Sequence, residues 1–239
     1  MEQESRREVK LSRRPGLLMW VLWVLVAVLV GLVTAFVVAR IYEATGNLIW
    51  VLLVPPLVVG VVGGVIQEIV LRLYLADLGR GEWTIATALG IIFGWFASLP
   101  LVVLVPAMLL SLLEPPPPLW TELVFRVLGA GAVGVVAGIA QWQLLRHYVR
   151  SDTYGPKSSL IWVASSGVAW LLSEFVRIIT VSYSVGFFPT PTANQAANAE
   201  GWVFSILVVG IVTGTALIWL LWSRPLVKVR SFPTFDLRT

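Results

Sequence analysis

Apolar and polar residues alternate along this chain in long blocks rather than with the short periods of a soluble helix or strand. Six predominantly apolar runs cover residues 16–39, 48–71, 83 to about 105, 119–145, 159 to about 182, and 201–222. The first contains no charged residue. Roughly 20 apolar residues in helical conformation cross the hydrocarbon core of a bilayer, so each run predicts one transmembrane helix. Pro55 and Pro56 in the second run and Pro100 in the third remove backbone donors and predict kinks. Residues 106–113 either continue the third run or lie at the interface. Glu114 is followed by Pro115, Pro116, Pro117 and Pro118, a stiff polyproline spacer that cannot continue a helix. Residues 147–158 and 185–200 read as loops, the first basic and the second rich in Pro, Thr, Asn and Ala.

A repeated motif lies inside this pattern. Residues 60–72 read GVVGGVIQEIVLR, residues 134–146 read GVVAGIAQWQLLR, and residues 210–222 read GIVTGTALIWLLW. Seven of thirteen positions match between the first two and six of thirteen between the last two, at offsets of 74 and 76 residues, so the chain reads as a repeat protein. Each unit holds two spans, so successive units enter the membrane in the same direction. The predicted fold is therefore all-α: a six-helix membrane bundle built from three parallel two-helix repeats, about 16–72, 83–146 and 159–222. A basic tail, 1–15, precedes it and a second tail, 223–239, follows.

At about 100° per residue, Gly134, Gly138, Gln141 and Leu145 share one narrow stripe, and Gly60, Gly64, Gln67 and Leu71 share another. Small residues let helices approach closely in lipid, and a glutamine on the same stripe can bond a neighbour. Gly60, Gly64, Gly134, Gly138, Gly210 and Gly214 are thus read as packing ribs, with Gln67 and Gln141 as polar glue. The sharper alternative has Gln67, Glu68 and Gln141 lining a polar pocket. Leu217 holds the glutamine position in the third copy, which argues against a symmetric site.

Composition narrows the chemistry. The chain of 239 residues is 58% hydrophobic and only 13% charged, about half the charge of a soluble domain, so lipid must serve as solvent. There are no cysteines, which removes thiol catalysis, disulfides and thiolate metal sites. The single histidine, His147, rules out a histidine-rich metal centre within one chain, and no metal or cofactor is expected. No serine nucleophile elbow or phosphate loop is present, so no catalytic residue is assigned and the chain is not expected to be an enzyme. The basic start resembles a signal peptide, but the apolar run behind it is too long and no small-residue cleavage site follows.

The net charge of +4 lies mainly in tails and connectors, which speaks for membrane topology rather than a nucleic-acid partner. Fourteen of the seventeen Lys and Arg residues fall on the side of the amino terminus, so both termini are expected in the cytoplasm, with the protein in the plasma (inner) membrane. Arg72 and Arg146 close their motifs on that side and are read as anchors to lipid phosphates. The tryptophans are read mostly as interfacial belts rather than pigment ligands.

Glu122 and Arg126 are four residues apart, and Glu174 and Arg177 three apart, so each pair shares a helix face. Helix rise puts both pairs about 10 Å or less from the non-cytoplasmic surface, with Arg40 and Glu43 bordering the same side. Charge at that depth is costly unless paired and is a functional candidate by default. The competing reading is a self-neutralising network that fixes helix register. Acids and bases are balanced here, whereas an anion site would carry an excess of arginine.

The pattern of 134–146, with its glycines, Gln-Trp and Leu-Arg, resembles a group of uncharacterised bacterial multi-pass membrane proteins. In these, GxxxGxxQWxxLR-type helices alternate with Trp- and Gly-rich ones. The resemblance covers most of residues 48–222 and implies the architecture but no activity. Glu68 replaces the tryptophan in copy one, and copy three lacks both Gln and Arg. Three two-helix units also describe mitochondrial-type carriers, but their proline–acid–basic signature is absent. The expected function is that of a non-catalytic accessory or scaffold subunit that packs against lipid and other membrane subunits, with pigments as a further candidate contact. The alternative is a small-solute or ion carrier using the Glu/Arg pairs.

Overall fold

The computed structural model describes residues 16–45, 48–75, 78–112, 119–148, 151–187 and 191–222. Among these the chain is helical apart from the turn between the second and third helices. The elements are α1 (Leu17–Thr45), α2 (Leu48–Arg72), α3 (Glu82–Leu99), a π-helical segment (Pro100–Leu104), α4 (Val105–Leu112), α5 (Leu119–Tyr148), α6 (Ser151–Phe187) and α7 (Pro191–Trp222). Six stretches are long and apolar enough to cross a membrane: Leu17–Ile41, Leu53–Arg72, Glu82–Leu112, Trp120–Arg146, Ser158–Tyr183 and Asn198–Trp222.

Two expectations about connectors are corrected. Residues 147–158 and 185–200 are largely helical, because α5 runs to Tyr148, α6 starts at Ser151 and α7 starts at Pro191. Polar residues beyond the apolar run do not oppose helix propagation, Ala196, Ala197 and Ala199 favour it, and proline is well suited to the first helical position. The third run continues past Val105 to Leu112, one of the two alternatives the sequence left open for residues 106–113. Pro100 lacks the N–H for an α-helical bond, and the backbone widens into a π turn in which Val105 N–H donates to Pro100 O. It then continues as α4. The helix α2 likewise runs on through Pro55 and Pro56, both buried.

The long helices form a closed ring. Each packs on its chain neighbours, α1 on α2, α2 on α3, α3 on α5, α5 on α6 and α6 on α7, and α7 returns to pack on α1. The π segment packs on α3 and α5, and α4 packs on α5. The outer faces remain apolar: Leu57, Val61, Val65 and Ile69 make an exposed row on α2, and Leu25, Leu29, Leu32 and Phe36 are exposed on α1. Helices apolar on both faces are those of a large buried core or of a membrane span.

The glycine segments of α2, α5 and α7 set the close contacts. A Cβ built on Gly60 or Gly64 would lie 3.0 or 2.9 Å from the Cα of Ala88 or Thr84 on α3. One on Gly134 would meet the Ser166 carbonyl and Trp170 on α6, and one on Gly138 would lie 2.9 Å from Ser166 Cβ. Gly210 faces Ala27, and a Cβ built on Gly214 would lie 2.8 Å from Trp23 Cδ1, both on α1. At such separations an added side chain would force a neighbour to shift, so small residues allow these backbones to approach closely. These ribs serve the contacts between α2 and α3, α5 and α6, and α7 and α1.

Candidate functional site

Two polar regions occupy opposite ends of the ring. The first lies where α1, α3 and α6 begin and α2, α5 and α7 finish. Trp23, Trp83 and Trp162 come one from each of the starting helices, and none is more than 2% exposed. Trp83 stands edge-on to the other two, with ring centroids 6.2 Å from Trp23 and 6.1 Å from Trp162. Edge-to-face packing aligns the positive rim of one ring with the negative face of the next. Leu71, Leu145 and Leu221 belong to the same core cluster and are essentially inaccessible, as is Leu75 from the turn after α2.

Indole N–H groups in such a core need acceptors. Trp23 Nε1 donates to Thr213 Oγ1 at 3.1 Å, and Trp83 Nε1 donates to Gln67 Oε1 at 3.0 Å. Gln141 reaches α3 from the other side, its Nε2 donating to Thr87 Oγ1 at 3.1 Å. Both glutamines therefore grip α3, Gln67 from α2 and Gln141 from α5. Trp162 Nε1 and Ser166 Oγ are buried and have no partner among the described residues. A cavity of about 40 Å³ opens beside this layer, with lining residues from all six long helices. Gln67, Thr87, Gln141, Ser166 and Thr213 supply its polar wall, and residues such as Val30, Ile91 and Ile206 its apolar one.

Glu68 is not part of that wall, which corrects its grouping with the glutamines. Its carboxylate accepts Gly81 N–H at 2.6 Å, Thr84 N–H at 3.1 Å and the Thr84 hydroxyl at 2.9 Å. These are donors that the first turn of α3 cannot satisfy internally, so α2 caps α3 with a charge matched to the helix dipole. Gly81 permits the arrangement by taking φ +81°, a left-handed conformation that favours glycine. Arg72 and Arg146 are exposed at the ends of α2 and α5.

The second region is ionic and sits at the opposite end. Glu174 on α6 takes two hydrogen bonds from Arg177 one turn later, Nε to Oε2 and NH2 to Oε1, both 2.7 Å. Its Oε1 also accepts from Arg126 NH2 on α5 at 3.1 Å. The Arg177 guanidinium lies over the Trp202 ring of α7, 5.6 Å from its centroid, a cation–π contact. Two helices thus meet at one carboxylate, and α7 joins them through the Arg177 guanidinium. Glu122 is exposed, and Arg126 turns to α6 rather than to it, so the pairing expected along α5 is replaced by one across helices. A carboxylate already oriented by a bidentate arginine, with its side chain 15% exposed, attracts a second guanidinium through less solvent than an exposed Glu122 can. Arg40 and Glu43 pair with each other at 3.3 Å, at 67% and 51% side-chain exposure, and stand apart from this cluster.

The axial tryptophans were the part that sequence reasoning missed, since it placed tryptophan chiefly in interfacial belts. The available signal was a small residue one turn after each: Ala27 after Trp23, Thr87 after Trp83 and Ser166 after Trp162. Among the described residues no group of three His, Cys, Asp or Glu side chains gathers as metal ligands would. No protein-family model, curated protein or solved structure matches this chain.

Proposed function

We propose that the protein is a non-catalytic multi-pass membrane protein that serves as an accessory or scaffold subunit of a membrane protein complex. In this reading the ring lies in the plasma (inner) membrane with both termini in the cytoplasm, and three two-helix units surround a pseudo-threefold axis. The positions of the glycine ribs support the three-unit reading, since each joins the second helix of one unit to the first helix of the next. The lysine and arginine distribution supports the orientation.

The observation that carries the scaffold reading is the lopsided exterior. Over an 18-residue apolar window, 22% of the Glu82–Leu112 span and 28% of the spans in α5 and α6 are buried within the chain, against 44% for those in α1, α2 and α7. Phe93, Phe96, Val103, Leu104 and Met108 are all more than half exposed on that side. It is here that a transmembrane helix of a partner subunit would dock. A photo-crosslinking residue at Met108 should capture one membrane protein in native membranes, while the same residue at Leu29 on α1 should capture lipid. Lipid alone at both positions, with monomer on native purification, would sink the reading.

A second reading, a carrier for a small anion, draws on the two guanidiniums that share one carboxylate at Glu174. It requires that Arg126→Gln and Arg177→Gln each abolish flux into reconstituted vesicles while the protein stays folded. Unchanged flux would return both residues to structure.

A further inference from the structure

We propose that the axial cavity is a binding site for a few water-sized, uncharged polar molecules, anchored by Trp162 Nε1 and Ser166 Oγ. The inference is independent of the scaffold reading. It begins with a contrast among the three buried indoles. Trp23 and Trp83 each find an acceptor on the helix that precedes them around the ring, Thr213 on α7 and Gln67 on α2. The helix preceding Trp162 is α5, which contributes Ala137 and Gln141 to the cavity. Ala137 has no side-chain acceptor, and Gln141, whose Nε2 donates to Thr87 Oγ1 on α3, makes no hydrogen bond to the Trp162 indole. The third indole N–H and the neighbouring Ser166 hydroxyl, 0% and 2% exposed as residues, are thereby left to the cavity they line.

Buried polar groups are nearly always partnered, by protein or by ordered water. A water needs about 10–15 Å³ of such volume and two or more polar partners. The cavity offers about 40 Å³, with Trp162 as donor, Ser166 as donor or acceptor, and amide and hydroxyl groups from Gln67, Thr87 and Gln141 on the same wall. No charged side chain lines it, so a compact ion would lose its hydration without compensation. The ligand must present an oxygen or nitrogen lone pair to the indole: water itself, or a small solute with a hydroxyl or carbonyl group.

The test uses the full chain, labelled with 15N at the tryptophan indoles, in nanodiscs. The Hε1 of Trp162 should show a cross-peak to bound water and exchange about fivefold faster than those of Trp23 and Trp83, the ratio that one net hydrogen bond to protein is worth. A cross-peak to carbon-bound protons retained through purification would identify a small organic solute instead, and would equally support the site. Ala137→Ser places an acceptor on the cavity wall of α5 and should remove the cross-peak and slow the exchange to that of the other two. A Trp162 Hε1 with no cross-peak and exchange no faster than its counterparts in the unsubstituted protein would overturn the proposal, whether or not the serine variant folds.

Discussion

The two ends of the ring hold their helices together by different means. At the tryptophan end, the contacts around the axis are neutral: three indoles, two glutamines and two threonines, set between backbones brought together by glycine, with the Glu68 carboxylate outside them as the cap of α3. At the opposite end one carboxylate and two guanidiniums tie α5 to α6, with α7 joined through the Trp202 ring. The neutral end involves all six long helices and the ionic end three. Neutral bonds cost little to bury once paired, so they can be spread round a whole ring. A buried ion pair is worthwhile only where geometry supplies nearly every partner, and one helix pair with a bidentate arginine meets that condition. The ionic end therefore concentrates its energy in a single residue, while the neutral end divides it among many.

That contrast can be broken experimentally. Glu174→Gln should have the largest effect, because it leaves two arginines facing each other: a loss of about 3 kcal/mol, the lower end of the range for broken buried pairs because Arg126 is partly exposed. Reversible unfolding in mixed micelles would measure it, and a double-mutant cycle with Arg126→Gln would isolate the interhelical part. If Glu174→Gln costs no more than an exposed substitution, the ionic end is not concentrated as described. Next, Gly64→Val forces a side chain against the Thr84 backbone and should cost about 1–3 kcal/mol in the same assay. Trp83→Phe keeps the ring stack but deprives Gln67 Oε1 of its donor, for about 1 kcal/mol. A loss from Trp83→Phe as large as that from Glu174→Gln would erase the distinction between the ends. Arg40→Gln removes an exposed pair and should change stability by less than about 1 kcal/mol.

Much of this architecture was legible beforehand. The apolar runs predicted all six long helices, since a run of that length in a chain so poor in charge has few other solutions. The glycine stripes were recognisable as ribs, though not which helices they would face. The charged residues stand out by rarity, and pairing along the helix holds for Glu174 with Arg177 and for Arg40 with Glu43, but not for Glu122 with Arg126. Spacing on one helix says which side chains could meet, and nothing about a competitor on the next helix. The same gap explains Glu68, which resembled its neighbour Gln67 in sequence yet points to the start of α3. It also explains the helical connectors, where loss of hydropathy was mistaken for loss of helix.

What the sequence determined alone is therefore local: helical segments, their apolar faces, and the small residues that allow close approach, all functions of nearest neighbours along the chain. Only the tertiary structure decided that α7 closes on α1, some 190 residues away, and with that closure which side chains share the axis. Trp23, Trp83 and Trp162 become a core rather than an interfacial belt because the ring brings three distant helix starts together. Glu174 becomes the partner of Arg126 because α5 and α6 pack side by side at that end. Burial and pairing depend on the neighbours that folding supplies, and those are set by the ring as a whole.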